Sequence, residues 1–160
     1  MTTQPLADLR EPETRQGRSL RIVGLCERYT PETTEGIPGQ WSRFQPHIGN
    51  IPGQVGYTAY GVCVEGDGDG FDYLCGVEVA AGAEVPKELA CVEIPARGYL
   101  VFTHSGHVSS LKSTVYAIWN TWLPQRGIKV AQAPDFEVYG DRFDPRTGEG
   151  EVEVWIPIEG

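Results

Sequence analysis

Two carboxylates stand among large aromatic rings near the C-terminal end of this 160-residue sequence: Glu137 lies two residues before Tyr139, and Glu153 two residues before Trp155. A carboxylate walled by aromatic rings attracts cations, through its own charge and through the negative faces of the rings. A mostly apolar pocket with a few converging polar groups is also the usual form of a small-molecule site. Side chains alternate along a strand, so Val152, Val154, Ile156 and Ile158 make an apolar core face. Glu151, Glu153 and Trp155 occupy the other side of that strand, and Glu137, Tyr139 and Asp141 are expected to share that second face from the neighbouring strand.

An internal repeat singles out the same residues. Trp41-Ser-Arg-Phe44-Gln-Pro46 recurs 78 positions later as Trp119-Asn-Thr-Trp122-Leu-Pro124, and Tyr60-Gly61 recurs as Tyr139-Gly140 at an offset of 79. At the offset of 79, Glu137 replaces Thr58, Glu153 replaces Leu74 and Trp155 replaces Gly76, while Tyr139 keeps Tyr60. A unit of about eighty residues, present twice, has a seam where a ligand can lodge, and the side chains that break the symmetry are candidates for function. Trp41 and Trp119, at matching positions of two helices, are expected to offer ring edges to that seam. The candidate binding residues are therefore Glu137, Glu153, Trp155, Tyr139, Trp119, Trp41 and Tyr60.

The elements that must position them follow from hydrophobic period and turn chemistry. Residues 1–18 show neither helical nor strand period and read as a loose arm, and residues 19–160 as a single domain with units at about 19–80 and 98–159. Leu20 to Arg28 reads as a strand. Ile37, Trp41, Phe44 and Ile48 make one helical face within Pro31 to Asn50. Tyr57 to Val64 and Phe71 to Val79 read as strands around a Gly-Asp turn at 66–70, and Ala80 to Arg97 as a connector. The second unit repeats the order: a strand at Gly98 to His104, a helix from about Ser109 to Leu123 closed by Pro124, and a hairpin of Phe136 to Phe143 and Glu151 to Ile158 around Asp144 to Gly148. Duplicated β-α-β-β units of this kind predict an α+β fold, an antiparallel sheet with two main helices and a central cleft.

Composition narrows the function. A net charge of −9 repels phosphate backbones, and no basic cluster or helix-turn-helix segment appears, so nucleic acid is not an expected direct ligand. No apolar run is long enough to span a bilayer, and the first 18 residues carry no signal-peptide stretch, so the expected place is the cytoplasm. Cys26, Cys63, Cys75 and Cys91 lack metal or redox spacing and read as buried reduced thiols, with Cys63 and Cys75 able to face each other across a hairpin. His104-Ser-Gly-His107 fits no zinc pattern and reads as a strand-to-helix turn. The Gly-Asp run lacks the spaced oxygen ligands of a calcium loop, and Ser105 and Ser109 lack a nucleophile elbow. Neither metal nor cofactor is expected.

Tyr99-Leu-Val-Phe-Thr-His-Ser-Gly106, Ile118-Trp-Asn-Thr-Trp-Leu-Pro124, Pro134-Asp-Phe-Glu137-Val-Tyr139 and Glu153-Val-Trp-Ile-Pro157-Ile, in this order, resemble the gyrase-inhibitor-like (GyrI-like) family over about residues 19 to 159. That family includes the effector-binding domains of AraC-type and MerR-type multidrug regulators. The resemblance implies a duplicated fold whose central cleft takes hydrophobic, often cationic compounds, with its binding carboxylates on the last two strands, here Glu137 and Glu153. Without a DNA-binding domain, the chain is expected to be a stand-alone small-molecule-binding protein. Two alternatives stand beside this. Similar free-standing members are hydrolases that open cyclopropane rings of toxic compounds with an acidic residue of the same cleft, here Glu153 or Glu137, and an acidic surface can also dock a protein such as gyrase.

Overall fold

The computed structural model describes residues 9–65 and 70–159, so the turn expected at 66–70 lies almost wholly outside the described residues. The described chain forms one antiparallel sheet of strands β1 (Glu13–Gly17), β2 (Leu20–Tyr29), β3 (Gln54–Glu65), β4 (Phe71–Val79), β5 (Ala90–Ile94), β6 (Arg97–His107), β7 (Asp135–Tyr139), β8 (Phe143–Asp144) and β9 (Glu149–Pro157). Helix α1 (Ile37–Phe44) follows β2, and α2 (Leu111–Ala117) follows β6, passing through a π-helical turn at Ile118–Trp122 into the short α3 (Leu123–Arg126). The fold is α+β. Among the described residues no helix is long and apolar enough to cross a membrane.

The strands lie in the order β1-β6-β9-β7-β3-β4-β2-β5, with β8 paired to β9. This order is symmetric about the β3–β7 seam: β2, β3 and β4 of the first unit answer to β6, β7 and β9 of the second. The flanking strands are exchanged. β1 precedes the first unit yet pairs with β6 of the second, and β5 precedes the second unit yet pairs with β2 of the first. Only Arg18 and Ser19 separate β1 from β2, and only Pro95 and Ala96 separate β5 from β6. A link that short spans about 10 Å at most, so strands near opposite ends of the order must meet and the sheet must curl. The inside of the curl needs no helix to cover it: Ile22, Val62, Leu74, Ile94, Tyr99, Val101 and Phe136 pack there, all buried.

Both helices lie on the outer face. Around α2 pack Leu100, Phe102, Ile118, Trp122, Leu123, Val152, Val154 and Ile156; around α1 pack Val23, Phe44, Ile51, Tyr73, Cys75 and Val77. Gln40, fully buried, ties α1 to the sheet: its amide donates to the carbonyls of Leu25 at 2.9 Å and Tyr73 at 2.8 Å, and its carbonyl accepts from the Tyr29 hydroxyl at 2.8 Å. Each of its polar atoms is thus satisfied, which is the condition for burying an amide.

Several expectations are corrected. The arm at 1–18 contains β1, whose polar sequence hides its strand character because stability comes from pairing with β6 rather than from its own side chains. The connector at 80–97 likewise contains β5. The helix expected over Pro31 to Asn50 is α-helical only at Ile37–Phe44 and ends in a 3-10 turn at Gln45–His47, where Pro46 has no N–H to continue the ladder. Pro124 does not end the second helix. The π-helical turn before it supplies the wider spacing, and the chain runs on to Gly127, whose φ of 64° closes the helix in a left-handed cap. His104-Ser-Gly-His107 belongs to β6, and buried His104 faces the Thr114 hydroxyl at 2.7 Å, fastening the strand to α2. Cys75 opposes Gly61 and Cys63 opposes Tyr73, so the two thiols do not face each other; Cys26 is exposed because β5 covers β2 only from Leu20 to Gly24.

Candidate functional site

Strand register decides which candidates meet. β7 pairs with β9 through Phe136–Trp155, Glu137–Val154 and Val138–Glu153. Residues directly opposite each other on a ladder point to the same face. Glu137 therefore shares the outer, helix-covered face with Val154, whereas Glu153 and Trp155 share the inner face with Val138 and Phe136. The expectation that Glu137 and Tyr139 join Glu153 and Trp155 on one face is thereby overturned: a register shift of one residue exchanges the faces of a whole strand. β7 and β9 are not joined by a tight hairpin, since β8 and its turns lie between them, and so no loop length fixed the register in advance. The same arithmetic separates Tyr60 from Tyr139. On β3 and β7 the outward residues are Ala59, Gly61, Cys63 and Asp135, Glu137, Tyr139, so equivalent positions there differ by an even number, as the tryptophans do, and not by 79.

The seam holds the chemistry on the outer face. Glu137 on β7 stands opposite Gly61 on β3. Its Oε1 accepts hydrogen bonds from the Tyr139 hydroxyl at 2.7 Å and the Tyr73 hydroxyl at 2.9 Å. The Tyr73 oxygen in turn accepts from the Trp41 indole N–H at 3.1 Å. Trp41 meets the Tyr139 ring edge-on at a centroid distance of 5.0 Å and the Tyr73 ring at 6.5 Å. Three aromatic residues, drawn from α1, β4 and β7, thus close around one carboxyl group. Gly61 makes this possible, because a Cβ there would overlap the Tyr73 hydroxyl and come within 2.8 Å of Glu137 Oε1.

Among the described residues Glu137 has no ion pair, and both of its hydrogen bonds fall on one oxygen, leaving Oε2 unbonded. Burial raises its pKa, and the bonds from Tyr139 and Tyr73 offset only part of that rise. Burial and the neighbouring carboxylate push both phenols well above their ordinary value, so they remain donors. An underpaired carboxylate in an aromatic cage is an acceptor for a cation, and the rings supply both apolar contact and quadrupole attraction.

The remaining candidates are dispersed. Trp119 sits in the π-helical turn and packs against the cluster around α2, as do Tyr139 and Phe143. Glu153, Trp155 and Tyr60 lie on the inner face, at the mouth of a cavity of about 200 Å³ that Tyr99, Phe136 and Val138 also line. A shallower hollow of about 300 Å³ near Gly53 and Tyr57 carries no acidic or basic side chain. The residues that sequence reasoning missed are Tyr73 and Gly61. Only part of their signal was present: β4 alternates Tyr73, Cys75, Val77 towards one face, but the pairing across β3 that sets this face beside Gly61 is a matter of register.

Comparison with known proteins bears on the fold and the family. A family model described as a GyrI-like small molecule binding domain matches residues 10–159. The transcriptional regulator BrlR of Pseudomonas aeruginosa is 34% identical over 139 residues, which are 86% of this chain and 51% of that protein, so the chain spans about half the length of this relative. Among solved structures, a putative transcription regulation protein from Staphylococcus aureus MU50 superposes with a TM-score of 0.74 at 24% identity, covering 94% of this chain and 99% of that one. SAV2435, solved bound to tetraphenylphosphonium, superposes with a TM-score of 0.72 at 22% identity, covering 94% of this chain and 95% of that one. The EcmrR C-terminal domain gives 0.65 at 16% identity, covering 95% and 98%.

Proposed function

The chain belongs to the GyrI-like small-molecule-binding family, and we propose that its ligand is a hydrophobic cation held at Glu137 between Trp41, Tyr73 and Tyr139. The observation that carries this is the underpaired Glu137 carboxyl inside an aromatic cage. Tetraphenylphosphonium, the compound bound by SAV2435, combines a permanent positive charge with four rings and is the natural first probe. Titrating the full chain with it and following tryptophan fluorescence tests the proposal, because Trp41 lies against the cage. No saturable change would overturn it.

Protonation gives the binding a definite pH dependence. The cation needs the ionised carboxylate, whose pKa is raised above the ordinary 4.5 by burial. Affinity for a permanent cation rises with pH through that raised value and is flat above it. A pH series of tetraphenylphosphonium titrations reads this directly, and an affinity that falls as pH rises from 4.5 would contradict the assignment. A neutral ligand of similar shape is expected to show the opposite preference, binding best where Glu137 is protonated.

The raised pKa also favours a catalytic reading, in which protonated Glu137 donates to a leaving group or strained ring while the phenols hold its carboxyl in place. Incubation with an electrophilic cyclopropane and chromatography for a ring-opened, hydrated product tests it. Binding without turnover removes that reading for this substrate class.

A further inference from the structure

We propose that the mouth of the curled sheet, on the face away from Glu137, is a second binding site for a flat, delocalised cation of the guanidinium or amidinium class, and that the chain's own Arg15 fills it as an internal ligand. Trp155 forms the platform. One side of its ring stacks on Phe136 at a centroid distance of 5.4 Å and an interplanar angle of 19°, and Tyr99 meets it edge-on at 5.5 Å. The Arg15 guanidinium carbon lies 5.6 Å from the Trp155 ring centroid. The carboxylate is Glu153: its Oε1 accepts from the Trp155 indole N–H at 2.9 Å, which aims the group, and its Oε2 accepts from Arg15 Nη1 at 3.3 Å. A carboxylate held in place beside an indole face, with a guanidinium bound to both, is the arrangement by which proteins take planar cations. Beside it opens the cavity of about 200 Å³, walled by Leu20, Tyr60 and Val138 and rimmed by Gly17, room for the aryl group of such a cation.

The internal ligand sits on an edge strand. Arg15 belongs to β1, five residues of polar sequence at the edge of the sheet with β6 as its one neighbouring strand. Its other partner is Glu13, at 3.0 Å on the same strand, so a release of β1 removes the guanidinium together with that contact. Arg15 and Glu153 keep 38% and 33% of their side-chain exposure, so an incoming cation reaches both without opening the core. The side chains of this site and those of the Glu137 cage lie on opposite faces of the sheet, although Phe136 and Val138 flank Glu137 along β7.

The probe is phenylguanidine, titrated by calorimetry into the full chain carrying Arg15→Ala. Removing the competitor is expected to tighten binding about tenfold over the unsubstituted chain, the scale of a partly desolvated cation–ring contact together with its ion pair. The gain disappears in Arg15→Ala/Glu153→Gln and persists in Arg15→Ala/Glu137→Gln, which separates this site from the one proposed above. Binding no tighter than in the unsubstituted chain, or a gain that follows Glu137 instead of Glu153, overturns the proposal. Should Arg15→Ala fail to fold, Arg15→Gln removes the charge while keeping a polar side chain on the edge strand, and the same comparison with its Glu153→Gln double variant decides.

Discussion

Glu137→Gln is expected to weaken tetraphenylphosphonium binding by about thirtyfold or more, since removing one charge of a buried pair costs about 2 kcal/mol at least. The fold is expected to survive it. Glutamine is of nearly the same size, and its amide oxygen can accept from Tyr73 and Tyr139 as the carboxylate oxygen does. Stability is expected to change in the opposite direction to affinity. Because the Glu137 pKa is raised in the folded chain, the native state binds more protons than the unfolded one between the ordinary carboxylate value and the raised value. The unsubstituted chain therefore loses stability as pH rises through that interval and stays at the lower level above it. The glutamine variant lacks this loss, so at neutral pH its melting temperature is expected to equal or exceed that of the unsubstituted chain. Weaker binding together with equal or greater stability identifies Glu137 as a ligand-binding charge kept at a cost to the fold. Unchanged affinity would remove Glu137 from the site whatever the melting temperature did.

The sequence showed Glu137 but not its surroundings, and the reason is physical. Periodicity sorts residues within one strand, and it did so correctly for Val152, Val154 and Ile156 on β9. It does not carry the sorting across to the next strand. That step needs the register, which here rests on Glu137 standing opposite Val154 and not opposite Glu153. Repeat comparison was exposed to the same error: the tryptophan echo at 78 keeps its face and the tyrosine echo at 79 does not. β1 and β5 were invisible for another reason. β1 adds no apolar stripe that a window would detect, β5 is only five residues long between Pro86 and Pro95, and both are strands because β6 and β2 offer free edges when the sheet curls.

The split between the faces also changes what the two carboxylates are. Glu153 was paired with Glu137 as one acidic site, yet Glu153 already has a guanidinium and an indole N–H. Among the described residues Glu137 has two phenols and no cation. By charge balance alone, the first has its counterion and the second lacks one. The net charge of −9 raises the local concentration of any cation near both, so salt is expected to slow association at each site without selecting between them.

Gly61→Ala is expected to weaken tetraphenylphosphonium binding and to destabilise the fold by about 1–3 kcal/mol, the usual cost of forcing a methyl group into packed structure. The position tolerates no side chain: a Cβ would overlap the Tyr73 hydroxyl and come within 2.8 Å of Glu137 Oε1. Tyr73 is itself only 2% exposed, and its hydroxyl cannot keep its place beside that Cβ, so its bond to the carboxyl is lost. Losing that donor removes one of the two bonds that lower the Glu137 pKa, and burial then raises it further. The midpoint of the pH dependence therefore moves up, and part of the lost affinity returns as pH rises through the new midpoint. Glu137→Gln cannot show such a return, having no proton to lose. Gly61→Ala/Tyr73→Phe sharpens the test. Removing the hydroxyl takes away the closest overlap and restores part of the stability, although the ring carbon of residue 73 and Glu137 Oε1 still lie 2.8 Å from that Cβ; the pH midpoint stays high because the missing hydrogen bond is still missing. If the alanine variant instead binds normally with an unshifted midpoint, the Tyr73–Glu137 bond does not set the charge of the site, and the cage is only a wall.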